Sequence, residues 1–488
     1  MELNKGVYMS NDGKINRIRI EVISPDGIAD YLSNEELVKI RDSLYLLLQE
    51  IENPSELHIH TRVAESVIKI MEGRVVSFGD NVFMYNNTTG VWDDAKTAIG
   101  NIAEAVYISN GANRSEIFNK ISMWSQSDRE DWDKIRRRYI GVKNGTWDII
   151  DSKFIGHDKE QHLLAIIPVD YNDTATCPAI DKFFVEIVLP DAVPLLYEWA
   201  GYCMTDEMFI QQALMLHGKG SNGKSVLIKL LKAFLGDRNT VSIPLHKLMT
   251  SNFASAELYG KKANLYADLS ADALKDSGVF KVLIAGDQMS GEKKFRDQFN
   301  FENCSKQIYS ANTIPRTMDF TDGFFRRWCI IDFPNQFEGD AADTKLIHKL
   351  ITPTELSGLL NKAIEGLKVL HTNQKFSMNR TTDGIRLMYL RLSDSVAAFS
   401  QECVEQDPDG YKLPKEQWVE YYFEYCRKSN IVAVSQDLFF KLFPKMVKLQ
   451  ERKLNIDGER ERVWVGIKFK ENVKTVNISN TNLNQATL

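Results

Sequence analysis

One stretch, ALMLHGKGSNGKSVLIKLLKAFLG at positions 213–236, constrains the fold of this chain more than any other. Its apolar start, Ala213 to His217, is predicted as a strand, and Val226 to Leu235 has the spacing of a helix. Between them lies a loop of glycines and small polar residues that fits the pattern G-x-x-x-x-G-K-[ST]. Such a loop turns its backbone N–H groups inward around a phosphate chain, at the positive end of a helix. The sequence therefore predicts that the chain binds a nucleoside triphosphate.

Each position of this loop has an expected role in binding ATP and Mg²⁺. The lysine of the pattern reaches the terminal phosphates, and the hydroxyl that follows it takes a place on Mg²⁺. A glycine-rich turn without a ligand is the alternative, but the strand before it and the helix after it favour a phosphate site. The predicted ATP-binding residues are Gly218, Lys219, Gly220, Ser221, Asn222, Gly223, Lys224, Ser225 and Val226.

Composition predicts a globular protein of about two to four domains that stays in the cytoplasm. Of 488 residues, 43% are hydrophobic and 26% are charged, as in ordinary globular proteins. Because no run approaches twenty apolar residues and the start lacks a signal-peptide core, we expect no membrane contact. The six cysteines are scattered singly, which favours reduced thiols over disulfides or a zinc site. The net charge is −6, so any nucleic-acid surface must be local.

Residues 1–175 are predicted as mixed α/β. The pattern indicates a helix from Asn34 to Ile51 and two hairpins, Val82 to Trp92 and Tyr139 to Ile150. The second hairpin carries the turn dipeptide Asn144-Gly145. No pair of catalytic acids with a partner histidine stands out in this region. We therefore expect no catalytic site in this region and a role for it in oligomer or partner contacts.

Changes of pattern along the α/β chain indicate six parts. They are a mixed α/β N-terminal region (1–175), a helical region (176–205), a nucleotide-binding core (206–345), a helical connector (346–392), a winged-helix-like domain (393–475) and a disordered tail (476–488). The helical region is predicted to hold two helices, Ala179 to Val188 and Ala192 to Thr205.

Three segments after the loop supply side chains that hydrolysis needs. The run KKANLYADLS is an apolar strand ending at Asp268, an acid placed for Mg²⁺ and water. The run KQIYSANTIP ends at Asn312, which is placed for the γ-phosphate or the attacking water. In GFFRRWCIIDF, Arg326 and Arg327 precede a strand, and such arginines often reach the γ-phosphate of a neighbouring subunit. Alone, this pair would indicate solvated or salt-bridged arginines, but the order of the segments favours catalysis.

The motifs around these residues resemble those of a known family. In chain order, GKGSNGKS, ANLYADLS, FKVLIAGDQMSGEKKFRDQFNF, IYSANTIP and FFRRWCIIDF are similar to the Walker A, Walker B, B-prime, sensor-1 and arginine-finger motifs of superfamily 3 helicases. The poxvirus, phage and plasmid primase-helicase branch is the nearest, and CPAIDKFFVEIVLPDAVPLLYEWAGYCMTDE and GVKNGTWDII resemble its segments before the motor. The resemblance covers residues 140–340 well and the C-terminal zone more loosely. It implies an AAA+ P-loop core.

The resemblance also implies roles for single residues. The implied catalytic residues are Lys224, Asp268, Asn312 and Arg327, with Arg326 as second choice for the arginine finger. Ser225 and Asp268 are implied as Mg²⁺ ligands. Because Ala267 stands where many AAA+ motors carry another acid, it is open whether Asp268 holds Mg²⁺ through water, polarises the attacking water, or does both. The family further implies a homo-oligomeric ring, usually a hexamer, in which hydrolysis depends on the neighbour's arginine.

The stretch GEKKFRDQF is the expected contact with DNA in the ring channel. In the family, the corresponding hairpin projects into the channel and follows the DNA backbone. Lysines and arginines there would neutralise phosphates, and an aromatic ring would stack on a base of the single strand. The alternative is a solvated charged turn. The predicted contacts are Lys293, Lys294, Phe295 and Arg296.

The C-terminal zone is predicted to bind duplex DNA. Trp418 to Lys428 reads as an amphipathic helix, Ser435 caps QDLFFKLFPKM, and two β-like segments surround Asp457-Gly458. This order suggests a winged helix, as in many chains of the family. Residues 441–470 contain nine basic and four acidic residues, so this segment has a net charge of +5. The alternative is a packing domain with an ordinary charged surface. The predicted contacts are Lys453, Arg460 and Arg462.

Three functions compete at this point. The leading interpretation is an ATP-driven replicative DNA helicase of a phage, virus or plasmid-like element, acting in the host cytoplasm if viral, with a primase or polymerase as a separate partner. A DNA-loading or remodelling ATPase without processive unwinding is the alternative, and strand displacement separates the two. A P-loop phosphotransferase acting on a small molecule is disfavoured by the chain length, the arginine pair and the basic C-terminal zone.

Overall fold

A computed structural model of the chain shows a mixed α/β protein with several separate sheets. The structure describes residues 7–9, 15–19, 27–51, 54–79, 81–107, 111–272, 274, 277–292, 294, 298–338, 343–378, 380–408, 410, 412–429, 431–456 and 459–470. The predicted disordered tail, 476–488, lies outside these residues. No helix of the described part is both long and apolar enough to cross a membrane.

The N-terminal part holds helices around a three-stranded antiparallel sheet, β3-β4-β5 in the list below. The predicted first helix is confirmed, because Ser33 forms a capping box: its Oγ accepts from Glu36 N, and the Glu36 carboxylate accepts from Ser33 N. The first predicted hairpin is confirmed as β4 and β5. The elements are β1 (Val7–Met9), β2 (Ile15–Arg19), α1 (Asn34–Glu50), α2 (Glu56–Ile70), β3 (Val75–Phe78), β4 (Asn81–Asn86), β5 (Val91–Asp94), α3 (Lys96–Val106), α4 (Gly111–Trp124) and α5 (Arg129–Arg137).

A four-stranded sheet follows, in the order β8-β7-β6-β9. Its strands are β6 (Tyr139–Val142), β7 (Gly145–Asp148), β8 (Lys153–Ile155) and β9 (Ile166–Ile167). The second predicted hairpin is confirmed, but its predicted turn is wrong by one residue. Val142 pairs with Gly145, so the turn is Lys143-Asn144 and Gly145 belongs to the strand. A Cβ on Gly145 would lie 2.4 Å from the ring of Phe154, so close packing, and not turn geometry, requires this glycine.

The middle of the chain builds a five-stranded sheet between helices. Both predicted helices before it, and the strand entering the loop, are confirmed. The elements are α6 (Pro178–Ile187), α7 (Val193–Met204), β10 (Ala213–His217), α8 (Lys224–Leu235), β11 (Thr240–Val241), α9 (Leu245–Leu248), α10 (Asn252–Ala256), β12 (Ala263–Tyr266), α11 (Gly278–Ala285), β13 (Gln288–Gly291), β14 (Phe299–Glu302), β15 (Lys306–Ala311), α12 (Asp322–Phe325) and β16 (Trp328–Asp332).

This central sheet has the order β11-β12-β15-β10-β16, and all of its neighbouring strands are parallel. Its strands are buried along almost their whole length, as expected for a parallel sheet covered on both faces. Because the strands are parallel, the segments that follow β10, β12 and β15 leave from one edge. This edge carries the glycine loop, Asp268 and Asn312.

The C-terminal part adds helices, a three-stranded sheet (β18-β20-β19) and a strand pair (β17-β21). The predicted order of two helices and a β-hairpin is confirmed, while the turn dipeptide Asp457-Gly458 lies outside the described residues. The elements are α13 (Leu346–Leu350), α14 (Pro353–Asn373), α15 (Thr382–Ser393), α16 (Ser395–Cys403), β17 (Val404–Gln406), β18 (Leu413–Pro414), α17 (Lys415–Lys428), α18 (Gln436–Met446), β19 (Gln450–Ile456), β20 (Glu459–Val465) and β21 (Ile467–Phe469).

Three large apolar cores hold these parts together. One lies within 28–121, a second joins the 140–169 sheet, α6, α7 and α14 to one face of the central sheet, and a third joins the other face to α15–α18. In the second core α7 and α14 pack so closely that a Cβ on Gly201 would lie 2.1 Å from the Ala363 carbonyl oxygen. The central sheet is therefore packed against chain segments from both directions along the sequence.

Candidate functional site

The glycine loop connects β10 to α8 at the carboxyl edge of the central sheet. Ser221 and Gly223 adopt positive φ, +59° and +89°, which turns the chain sharply before the helix. Gly223 is the N-cap of α8. The helix begins at Lys224, two residues before the predicted start at Val226, because this left-handed cap lets the chain enter the helix at once.

Close neighbours fix the shape of the loop. A Cβ on Gly218 would lie 2.9 Å from the Phe333 carbonyl oxygen, and one on Gly223 would lie 2.6 Å from Ile187 Cγ2. The segment after β16 holds the loop from outside, since Phe337 N donates to Ser221 O at 2.7 Å. These contacts give the backbone a defined cradle at the helix N-terminus.

Lys224 is the best-buried cation of this cradle, with 5% of its surface exposed. Its Nζ donates to Gly218 O at 2.6 Å, to Asn222 Oδ1 at 2.8 Å, to Asn312 Oδ1 at 3.2 Å and to the Lys219 carbonyl oxygen at 3.3 Å. Burial lowers the pKa of Lys224, and the negative charge of Asp268 partly opposes this shift. The ammonium is thus held among oxygen acceptors at the place where the loop turns.

The structure brings Lys224, Asp268 and Asn312 to one edge. Asn312 follows β15 directly, as predicted, and faces Lys224. The predicted end of β12 at Asp268 is wrong, because the strand ends at Tyr266. Leu269 N still donates to Ser310 O at 2.8 Å, so the chain stays beside β15 and Asp268 remains close enough to act on the charge of Lys224.

The oxygen donors at this edge suit a magnesium nucleotide. Ser225, Asp268 and Asn312 are exposed, so a hydroxyl, a carboxylate and an amide oxygen are open to solvent beside the cradle. Among the described residues no three His, Cys, Asp or Glu side chains cluster for a metal. Mg²⁺ takes one or two protein oxygens and completes its shell with phosphates and water, so a dedicated cluster is not required. The residues present therefore fit Mg²⁺ bound together with phosphates.

His217 and Asp332 form a polar pair beside the loop that the motif does not include. They are the last residues of β10 and β16 and are direct neighbours in the parallel ladder. His217 Nδ1 lies 2.8 Å from Asp332 Oδ1. In the sequence, this pair is visible only as a polar residue at the end of each of two strands. The strand register is needed to show that the two residues are neighbours.

The two arginines lie at the opposite, amino edge of the sheet and differ in exposure. The Arg327 carbonyl accepts from Ala213 N, at the start of β10. The Arg327 side chain is 8% exposed and donates to the Gly323 carbonyl, and burial together with the charge of Arg326 lowers its pKa. Arg326 is exposed. Neither guanidinium is near the loop of its own chain.

Helix α15 packs against α12, the short helix that precedes the two arginines. Tyr389 Oη donates to the Pro315 carbonyl at 2.8 Å, and the Arg386 guanidinium lies 5.3 Å from the ring centre of Phe325. Arg386 also forms an ion pair with Asp322 at the start of α12. Sequence patterns did not indicate this contact, because it depends on how distant helices pack.

The predicted DNA contacts lie away from the loop. Lys294 is exposed between the antiparallel strands β13 and β14, whereas Lys293, Phe295 and Arg296 lie outside the described residues. Lys453, Arg460 and Arg462 are all exposed on the hairpin of β19 and β20. Lys453 and Arg462 are direct cross-strand partners, an arrangement that like charges disfavour. Within the described part of this hairpin, Arg462 alone among the three forms an ion pair, with Glu451 at 3.4 Å.

The loop geometry predicts different effects of one methyl group at two glycines. Gly223→Ala should lower the free energy of unfolding by roughly 1–3 kcal/mol, because Gly223 has positive φ and its Cβ would meet Ile187. Gly220→Ala is the matched control, since no atom lies within 4 Å of its Cβ. Thermal unfolding of both variants measures the difference. Equal melting temperatures would contradict the geometry described here.

Two regions of the chain match known protein families. Residues 77–189 match the family described as "D5 N terminal like". Residues 216–327, which contain the loop, Asp268, Asn312 and both arginines, match a "Family of unknown function (DUF5906)". The first match includes the 139–167 sheet and α6, and the second includes the glycine loop and strands β12 and β15.

A curated protein and several solved structures are also similar to parts of the chain. "Putative helicase L207/L206" of Acanthamoeba polyphaga mimivirus is 28% identical over 153 residues, which are 30% of this chain and 16% of that protein. Two apo structures of the NrS-1 C-terminal region align at 15% and 17% identity over 62% of this chain and 80% of theirs, with TM-scores of 0.37 and 0.39. Structural similarity this low carries no argument. From the family and helicase matches, the chain resembles viral and phage primase-helicases, as its motifs predicted, and assignment to superfamily 3 is consistent with them.

Proposed function

We propose that the chain is an ATP-dependent replicative DNA helicase, a ring-forming AAA+ motor of superfamily 3. The observation that carries this proposal is the meeting of Lys224, Asp268 and Asn312 at one edge of the five-stranded parallel sheet. An exposed arginine at the opposite edge, Arg326, supports a site completed by a neighbouring subunit. The helicase match supports the same activity class.

In the proposed mechanism the chain's own groups divide the work of hydrolysis. Hydrolysis of the terminal phosphoanhydride of ATP, bound with Mg²⁺, would supply the free energy for the motor. The backbone N–H groups of 218–225 and the Lys224 ammonium would bind the phosphates, with Lys224 exchanging loop carbonyls for phosphate oxygens. Ser225 would hold the metal, and Asp268 would hold it or orient the attacking water. Asn312, already in contact with Lys224, would position the terminal phosphate or that water.

We assign the arginine finger to Arg326 in preference to Arg327. A finger acting on a neighbour must present an exposed guanidinium, and Arg326 is exposed whereas Arg327 is buried. The contacts of Arg386 and Tyr389 would hold this segment in a fixed position. Hydrolysis would then require a ring, which we propose to be a hexamer.

DNA would contact the motor at the β13–β14 hairpin and at the C-terminal domain. Lys294 is exposed there and would follow the backbone of a single strand in the channel. We propose a winged-helix role for α17, α18 and the β19–β20 hairpin, binding duplex DNA. The facing charges of Lys453 and Arg462 support this, since a phosphate between them would relieve their repulsion. A primase or polymerase would act as a separate partner.

A DNA-loading or remodelling ATPase is the second candidate. It would use the same phosphate loop, trans arginine and basic C-terminal hairpin, but it would not separate strands over long distances. The exposed basic residues of β19 and β20 favour it as much as they favour an origin-binding helicase.

The hairpin assignment predicts a selective defect in Lys294→Ala. ATP binding and basal hydrolysis should remain, because Lys294 is not part of the phosphate loop, while stimulation of hydrolysis by single-stranded DNA should fall severalfold together with unwinding. Steady-state hydrolysis with and without an oligonucleotide measures this. Lys247→Ala, another exposed lysine of the motor, is the control. Unchanged stimulation and unwinding in Lys294→Ala would remove the hairpin from the mechanism.

The trans arginine predicts complementation between two inactive variants. Arg326→Ala should lower hydrolysis by about 10³-fold or more with nucleotide binding intact, as for other arginine fingers. Mixing it with Lys224→Ala should restore part of the activity, since the second variant lends Arg326 to the intact loop of the first. Absence of recovery, or recovery only with Arg327→Ala in place of Arg326→Ala, would contradict the assignment.

A further inference from the structure

A second large feature lies at the amino edge of the central sheet, away from the phosphate loop. It is a cleft of about 2140 Å³ between the N-terminal part and the motor. Its walls include Lys96, Arg114 and Phe118 on the N-terminal side, and Phe299 and Lys261 on the motor side. None of these residues belongs to the proposed hydrolytic site.

Ion pairs join the two walls, so the cleft has a defined shape. Asp206, just before β10, is paired with Arg136 of α5 and with Lys262, whose Nζ lies 2.8 Å away. Burial opposes charge on Asp206, yet Arg136 and Lys262 hold the pKa of this carboxyl well below its usual range. Arg137 of α5 pairs with Glu302 at the end of β14, at 2.7 Å.

The cleft is basic although the chain is acidic. Nine Lys or Arg and six Asp or Glu line it, an excess of +3 in a chain of net charge −6. The wall-joining pairs and the pairs within α5 neutralise four of these acids and five of these basic residues. Lys96 and Arg114 are exposed, and within the described part of the chain neither forms an ion pair, while Lys96 Nζ lies over the ring of Phe118, 6.0 Å from its centre. Their charge is available to an anionic ligand.

Size and continuity point to a polymer. Small-molecule pockets are usually about 300–1000 Å³, so this cleft would hold several nucleotides. Charged residues line the cleft in larger number than at the centre of a protein–protein interface, which is depleted of charge, so a nucleic acid fits it better than a protein does. The cleft is also continuous with the proposed DNA contact, since Gln298 to Glu302, the strand that returns from Lys294, line it.

We propose that this cleft binds single-stranded nucleic acid. Lys96 and Arg114 would neutralise backbone phosphates, and Phe118 and Phe299, one on each wall, would stack on bases. Stacking of this kind requires unpaired bases, which selects a single strand over a duplex. The inference rests on the proposed DNA role of the β13–β14 hairpin and extends it to a path along the N-terminal part.

The test compares oligonucleotide binding by charge-reversed variants. A fluorescein-labelled 20-residue oligothymidine is titrated with the intact chain, with Lys96→Glu/Arg114→Glu, and with Lys39→Glu/Lys69→Glu over a range of salt concentrations. Lys39 and Lys69 are exposed on α1 and α2, outside the cleft, so the control makes the same change in net charge. Thermal unfolding shows that each variant is folded.

The cleft variant should bind roughly tenfold or more weakly, and its plot of log affinity against log salt should be shallower by about 1.4, since each lost phosphate contact contributes about 0.7. The control should match the intact chain. If Lys294→Ala weakens binding and the cleft variant does not, the cleft proposal is wrong while the DNA role of the hairpin stands. A protein would then be the expected ligand of the cleft. If the intact chain does not bind the oligonucleotide, the proposed DNA role fails with it.

Discussion

Parallel pairing of β10 with β15 on one side and β16 on the other is the constraint on which the site depends. This pairing puts His217 beside Ala311 and Asp332, so the residues that follow three strands leave from one edge. Backbone hydrogen bonds between the strands bring the glycine loop and Asn312 together at this edge. Through β12 they also bring Asp268 there, although these residues are far apart in the sequence. The same pairing sends the arginines that precede β16 to the other edge.

The second requirement is electrostatic. Lys224 is a buried ammonium surrounded by carbonyl and amide oxygens, and burial lowers its pKa while Asp268 acts against that shift. Because these acceptors are neutral, Lys224 keeps its full positive charge beside the N-terminus of α8. The helix dipole there stabilises an anion further. The loop itself is held by packing, since Gly218 and Gly223 approach their neighbours too closely for any side chain. The preorganised cradle and the polyphosphate it would receive are therefore complementary in both shape and charge.

Sequence patterns predicted the parts that depend on neighbours along the chain. The strand, loop and helix at 213–236, the two helices before them and the capped first helix follow from periodicity and capping, and all are confirmed. Two failures have different causes: Gly145 serves a packing contact with Phe154 and not a turn, whereas α8 starts at Lys224 because of the local left-handed cap at Gly223. The pair His217–Asp332 and the different burial of Arg326 and Arg327 depend on strand register and on α15. No local pattern in the sequence carries that information.

In the proposed function, nucleotide hydrolysis at the Lys224 loop drives separation of DNA strands. The most direct measurement is displacement of a labelled strand from a forked duplex in the presence of Mg²⁺ and ATP, comparing the intact chain with Lys224→Ala. We expect displacement by the intact chain and none by the variant. Hydrolysis by the intact chain without displacement would contradict the helicase and favour the remodelling ATPase. Equal displacement by both chains would show that strand separation does not depend on this loop.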